Sequence, residues 1–239
     1  MPAVLMVLTG ADSWTMKNGT RHPTGFWAEE FINPHKAFVA AGLTIHIATP
    51  GGRKPTVDPL SLSLGYNDND QAGVDAQLAY LKQLAPQLEA PLVLGAVNPS
   101  EYDVMFVVGG HGPMQDLAVD PDIGRLFAAM LGDPSKIAAA VCHGPASMLS
   151  AFAEDGTWLM KGRKLTGFSN EEETQATFAG NAPWLLEDRL RLAGALYVAE
   201  PAWTPHVVVD GNLITGQQQV SAQKVADAIL ERLSATGSR

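Results

Sequence analysis

Cysteine is nearly absent. Cys142 is the only one in 239 residues, so the chain can form no intramolecular disulfide and assemble no thiolate zinc cage. A chain without a disulfide framework fits a reducing, cytoplasmic setting. Positive charge is also short, with 16 Lys and Arg against 25 Asp and Glu and a formal net charge of −9. That balance repels phosphate backbones and anionic lipid, which excludes nucleic acid and membrane surfaces as partners and leaves small molecules or proteins. Long apolar runs are missing too. The longest uncharged stretch, Ile137 to Ala153, is broken at Gly144-Pro145, and the apolar start Met1 to Leu8 has no basic flank or small-residue cleavage site. Neither a membrane span nor a signal peptide is read. No repeat, low-complexity tract or Pro/Ser-rich linker divides the text, so residues 1–239 are read as a single domain, long enough to bury a substantial core.

What is present is an alternation of short Val/Ile/Ala-rich runs with longer amphipathic segments, the mark of an α/β fold with a mostly parallel sheet. Candidate strands are Ala3 to Leu8, Thr44 to Ala48, Val104 to Val108, Ile137 to Val141, Lys164 to Thr166 and Val207 to Val209. These runs are apolar on both faces, as expected of strands covered by helices on each side. The last helix is predicted from Ser221 as N-cap, with Ala222, Val225, Ala226, Ile229, Leu230 and Leu233 on one face. Asp120-Pro121 opens another that runs to about Met130, and Gln71 to Leu84 reads as a third. Gly51 to Asp70 is polar and irregular, a long loop of the kind that carries function.

Two turns carry chemistry. Ile137 to Val141 runs through Cys142-His143-Gly144-Pro145 into an apolar helix, the layout of a nucleophile elbow, where a sharp strand-to-helix corner lifts a side chain clear of the sheet. A thiolate there would be stabilised by the helix N-terminus, which predicts a thiol pKa below the reference of about 8.5. The preceding strand ends in Gly109-Gly110-His111-Gly112-Pro113, where glycines free backbone N–H groups to point at an oxyanion. Glu29-Glu30, at a helix start, offers a carboxyl whose pKa a dry pocket would raise. His143 follows Cys142 directly, so their pairing depends on the bend of the elbow. No metal-ligand spacing links His22, His35, His46, His111 and His206, and neither metal nor cofactor is expected. Asn170-Glu171-Glu172-Glu173 reads as a solvated helix start capped by Asn170.

Four stretches together resemble the DJ-1/PfpI superfamily, above all its Hsp31-like branch: Val108 to Pro113, Ala140 to Ala146, Gly25 to Glu30 with Pro34 beyond, and Val209 to Gln217. The resemblance spans nearly the whole chain. It implies a flavodoxin-like, class I glutamine amidotransferase-like sandwich and, by position, a catalytic set of Cys142, His143 and Glu30. The spacing from Gly25 and to Pro34 selects Glu30 over Glu29. Gly109, Gly110, His111 and Gly144 are carried over as oxyanion or substrate-binding positions, and Asn170 or Glu171 as a supporting group near the histidine. Gln217-Gln218-Gln219-Val220 departs from the family pattern, without reaching the catalytic set by sequence argument.

The activity implied is a glutathione-independent glyoxalase of the glyoxalase III type, acting on methylglyoxal or a related 2-oxoaldehyde and forming a homodimer. A stress holdase and a cysteine-dependent peptidase or amidase are the alternatives. The amidotransferase label marks fold kinship only, since no late His-x-Glu is present.

Overall fold

Runs that are apolar on both faces become the interior strands of a sheet, and the amphipathic segments between them become its covering helices. The computed structural model describes residues 2–237, with side chains described to Ala235. In chain order the elements are β1 Ala3–Val7, β2 Ser13–Thr15, β3 Arg21–Pro23, α1 Ala28–Ala40, β4 Thr44–Thr49, α2 Gln71–Gln83, α3 Ala85–Glu89, β5 Leu92–Val93 and β6 Val104–Val107. There follow α4 Gly112–Gln115, α5 Pro121–Gly132, β7 Ile137–Val141, β8 Lys164–Leu165, α6 Asn170–Gln175, α7 Leu186–Ala193, β9 Leu196–Tyr197, β10 Val207–Asp210, β11 Leu213–Gly216 and α8 Ala222–Gly237.

The central sheet has seven strands in the order β10-β11-β7-β6-β1-β4-β5. Every pairing is parallel except β10 with β11. Taken without the edge strands β5 and β10, the order is the flavodoxin-like one, with its topological switch between β1 and β6. β6 and β7 are buried at every residue, as strands covered on both faces must be. In this order a ligand crevice opens beyond the carboxyl ends of the strands at the switch, and the chain delivers Gly109 and Cys142 there, just past β6 and β7. Among the described residues no helix is long and apolar enough to cross a membrane.

Helix α5 starts as its sequence dictates: Asp120 accepts the N–H groups of Asp122 and Ile123 at 2.8 and 3.2 Å, with Pro121 in the first turn. Other expectations need correction. Lys164–Leu165 pairs with β9 in a separate two-stranded ribbon, and the central-sheet position beside β7 goes to β11. Beyond the elbow the chain takes a 3-10 helix over Gly144–Ser150, its turns closed by Ala146 N–H on the His143 carbonyl and Ser147 Oγ on that of Gly144. Ser221 caps no helix: its hydroxyl accepts the His206 N–H at 3.0 Å and donates to Gln218. The long loop is anchored by buried Asp58, which accepts from the Thr24 hydroxyl at 2.6 Å and from the Leu60 N–H at 2.9 Å.

Gly124, in α5, faces the end of that 3-10 helix so closely that a Cβ would lie 2.0 Å from the Ser150 carbonyl oxygen. Helix propensity alone favours Gly124→Ala by about 1 kcal/mol. The backbone contact reverses the sign, because overpacking against a carbonyl costs about 1–3 kcal/mol and the carbonyl cannot rotate away. A lower melting temperature is expected by calorimetry. A raised one would show that α5 slides freely over the turn.

Candidate active site

Cys142 is the one residue of the elbow in a conformation that side chains avoid, with φ at 60°. Its N–H donates to the Gly216 carbonyl at 3.0 Å and its carbonyl accepts from Phe168 N–H at 2.8 Å, so neighbours on both sides hold the twist. The result is a thiol raised above the sheet yet only 3% exposed.

Two ionisable side chains flank the sulfur. Glu30, in the first turn of α1, is fully buried, and one of its oxygens accepts the Gly109 N–H at 2.9 Å. The other, Oε1, is buried and has no hydrogen-bond partner among the described residues, and the thiol stands beside this carboxyl. Glu29 points elsewhere, toward Asn33 at 3.2 Å. On the second flank, His143 Nδ1 lies 3.3 Å from Sγ. Its Nε2 lies 2.7 Å from Glu173 Oε2, while the opposite oxygen of that carboxylate bonds His111 Nε2 at 2.8 Å. Each histidine donates an N–H to Glu173, which fixes the tautomer of His143 and turns the Nδ1 lone pair toward the thiol. Phe168 stacks on His143 at 4.4 Å and Trp14 on His111 at 4.8 Å.

Dryness sets the protonation states. Burial pushes the Glu30 carboxyl well above the usual range, against the opposing Cys142 and Gly109 donors. Burial, then the adjacent Glu30, pushes the Cys142 thiol well up, although the N–H groups of Gly110 and His143 point at the sulfur and oppose this. The expected thiol pKa below 8.5 is therefore corrected. The helix that was to stabilise a thiolate is a 3-10 turn, and desolvation outweighs the two N–H groups. Burial and His111 lower His143, so its ring is neutral at neutral pH. Burial alone would raise Glu173, but the two imidazoles outweigh it and hold this carboxyl well below its usual range. Burial thus biases the thiol, the carboxyl and the imidazole alike toward their neutral forms, with a carboxylate behind the imidazole.

A narrow cavity of about 20 Å³ opens onto Gly110, Cys142 and His143 between the side chains of Trp27, Leu60, Tyr66, Phe168 and Trp203. The sequence pattern of the DJ-1/PfpI family matches residues 23–232. The chain belongs to that family. Glyoxalase 3 of Candida albicans is 27% identical over 237 residues, covering 96% of this chain and 98% of the relative. The protein/nucleic acid deglycase HchA of Pseudomonas aeruginosa is 29% identical over 232 residues, covering 93% and 77%. The solved structure of Rapid Encystment Protein 24 KDa from Francisella tularensis superposes with a TM-score of 0.85 at 30% identity, over 98% of this chain and 99% of the other.

Within this DJ-1/PfpI site, Cys142, His143, Glu30 and Gly110 come together. Three other expected positions do different work. The Gly109 N–H is spent on Glu30, and a Cβ there would lie 2.5 Å from Glu30 Oε2 and 2.7 Å from Cys142 Cβ, so this glycine makes room for the pair. His111 lines the pocket, but its Nε2 is committed to Glu173. Gly144 packs under β6, with the Val107 carbonyl 2.7 Å from where a Cβ would stand. The supporting group on the histidine is Glu173, and neither Asn170 nor Glu171 fills that place: Asn170 turns to Asp188, at 2.7 Å, and Glu171 to Gln175, at 3.1 Å. Ser169, not Asn170, caps α6, in a capping box with Glu172. The spacing Ser169-x-x-Glu172 was the available signal, since it fixes the helix start and with it which glutamates face inward. The fold also gathers ligand types that no sequence spacing joined: atoms of His111, His143 and Glu173 lie within 4.8 Å of one another. Both Nε2 atoms already bond the carboxylate, so the trio satisfies itself as a hydrogen-bonded network.

The Cys142–Glu30 pair should release two protons in succession, the second against the charge left by the first. Removing the carboxyl charge in Glu30→Gln should move the rise of thiolate absorbance at 240 nm to lower pH. A titration unchanged in this variant would show that Glu30 does not govern the thiol.

Proposed function

We propose that this chain is a cysteine-dependent enzyme that converts a small 2-oxoaldehyde to the 2-hydroxy acid with water and without glutathione. The observation that carries the reading is the placement of Cys142 Sγ between the buried carboxyl of Glu30 and the Nδ1 of His143, 3.3 Å away, whose Nε2 is held by Glu173. The Candida albicans relative, named a glyoxalase, supports it.

The sulfur adds to the aldehyde carbon as its proton passes to His143 Nδ1, and the N–H groups of Gly110 and His143 hold the oxyanion. Glu30 protonates that oxygen, giving a hemithioacetal. As a carboxylate it then removes the hydrogen from the same carbon, while the imidazolium protonates the neighbouring oxygen, giving an enediol. Glu30 returns the hydrogen to the second carbon and His143 takes the hydroxyl proton, which leaves a thioester. Water attacks with Glu30 as base, the carbon–sulfur bond breaks, and the imidazolium reprotonates the thiolate. The cycle ends with all three groups as they began, and its balance is aldehyde plus water to hydroxy acid.

Lactate formation from methylglyoxal tests the reading. Cys142→Ala should abolish it and Glu30→Gln should lower turnover by about 10²–10⁴-fold, the usual loss when positioned acid–base help is removed. Glu29→Gln should be near wild type. No lactate from the wild-type protein would overturn the proposal, and release of free amine from a glycated peptide instead would favour the deglycase reading that the Pseudomonas aeruginosa relative suggests.

The pH profile follows from His143. Burial and His111 hold its pKa below the 6.5 of an ordinary histidine, so kcat/KM should hold as pH falls through 6.5 and drop only when the imidazole protonates. Glu173 raises that pKa, so Glu173→Gln should shift the acid limb to still lower pH while cutting turnover, because the ring loses its anchor. An acid limb at or above 6.5 in the wild type would show that His143 is not the proton acceptor.

A further inference from the structure

The aromatic mouth of the pocket is built as a barrier. Beside it lies a broader depression of about 610 Å³ bordered by Glu29, Asp68 and Asp70, and the side chains shared by the two spaces are Tyr66, Trp203 and Gln219. Trp203 is fixed from three sides. Its backbone stands at φ 64°, a conformation that costs a non-glycine residue about 1–3 kcal/mol unless its surroundings impose it. The imposing group is Glu172, fully buried in α6, whose Oε1 accepts the Trp203 N–H at 2.9 Å and the Gln217 amide at 3.0 Å. The indole N–H donates to Gln175 at 2.6 Å, and the ring meets Phe168 edge-on at 5.8 Å. Across the mouth, Tyr66 stands edge-on to Trp27 at 5.2 Å.

We propose that Trp203 and Tyr66 form a neck that selects, by size, which carbonyl compounds reach Cys142, with Glu172 holding Trp203 in the closing position. A methyl-sized group beside the reacting carbonyls passes, and an aryl-sized one is refused. The neck itself is independent of the chemistry; its extension to substrates rests on the 2-oxoaldehyde reading above.

Alkylation tests the neck without any turnover. The rates at which iodoacetamide and N-phenylmaleimide label Cys142 are measured by mass spectrometry, and their ratio is divided by the same ratio for the unfolded protein. The wild type should favour the small reagent by more than tenfold, Trp203→Ala should remove most of that bias, and Trp203→Phe should keep most of it. An unbiased wild type, or a bias that survives in Trp203→Ala, overturns the proposal. If circular dichroism shows Trp203→Ala unfolded, Tyr66→Ala decides: a reduced bias supports the neck and an unchanged one overturns it. With aldehydes, the kcat/KM of phenylglyoxal relative to methylglyoxal should rise about tenfold in Trp203→Ala, and an unchanged ratio counts against the neck. If the wild type consumes neither aldehyde, the proposed reaction fails while the alkylation ratios still judge the neck.

Discussion

The positive φ at Cys142 is the constraint on which the rest of the site depends. A cysteine in this conformation is strained, and the strain persists because β11 and the segment after β8 each bond the same residue, through Gly216 and Phe168. The twist sends the thiol toward α1, not into the sheet, so α1 must present a small or hydrogen-bonding group there. Glu30 is that group, and its fit requires the absence of a Cβ at residue 109. One backbone angle thus dictates a carboxyl on a different element and a glycine on a third. This is also why β11 matters more than a late strand usually would: it is paired to β7 along its length and closes on the elbow itself.

Burial gives the site its reactivity in an indirect way. An exposed thiol beside a helix N-terminus would be a thiolate at rest and open to oxidation. Here desolvation biases sulfur, Glu30 and His143 toward their uncharged forms. The charge bonded to His143 is the Glu173 carboxylate, and it is shared with a second imidazole on the side of the ring away from the sulfur. In the proposed reaction the thiol proton moves to His143, and the imidazolium so formed would meet that charge at 2.7 Å. Charge separation is therefore compensated at the moment it occurs, which is the electrostatic preorganisation that a dry site makes effective.

The α/β class and the elbow are legible because each rests on local text: two-faced apolar runs, an Asp-Pro helix start, a small-residue strand running into Cys-His-Gly-Pro; the flavodoxin-like arrangement is legible only through the family resemblance. Thr166 and the segment from Leu213 show where local text stops. Lys164–Leu165 and Leu213–Gly216 are both short and apolar enough to be strands, and only tertiary pairing decides which one joins the central sheet. The protonation of Cys142 was misread for a related reason. Sequence shows the turn and its N–H groups but not the depth of burial, and desolvation is the larger effect. Gln217 was set apart from the site, yet it is buried and bonds Glu172, a contact between residues 45 apart that no spacing rule encodes.

Three glutamates in a row looked like a solvated helix start, and the reason they are not is geometric. Consecutive helical residues point about 100° apart, so two adjacent buried carboxylates cannot serve one partner. In α6, Glu173 faces the histidines and Glu172 faces Trp203 and Gln217, leaving Glu171 to solvent. The helix has only six residues and would be marginal alone, but its capping box and its two buried carboxylates tie both ends of its first turn to the interior. A single short helix therefore anchors both the histidine beside the thiol and the aromatic wall that bounds its pocket. Any movement of α6 changes both together, so the histidine and the pocket wall are mechanically one element.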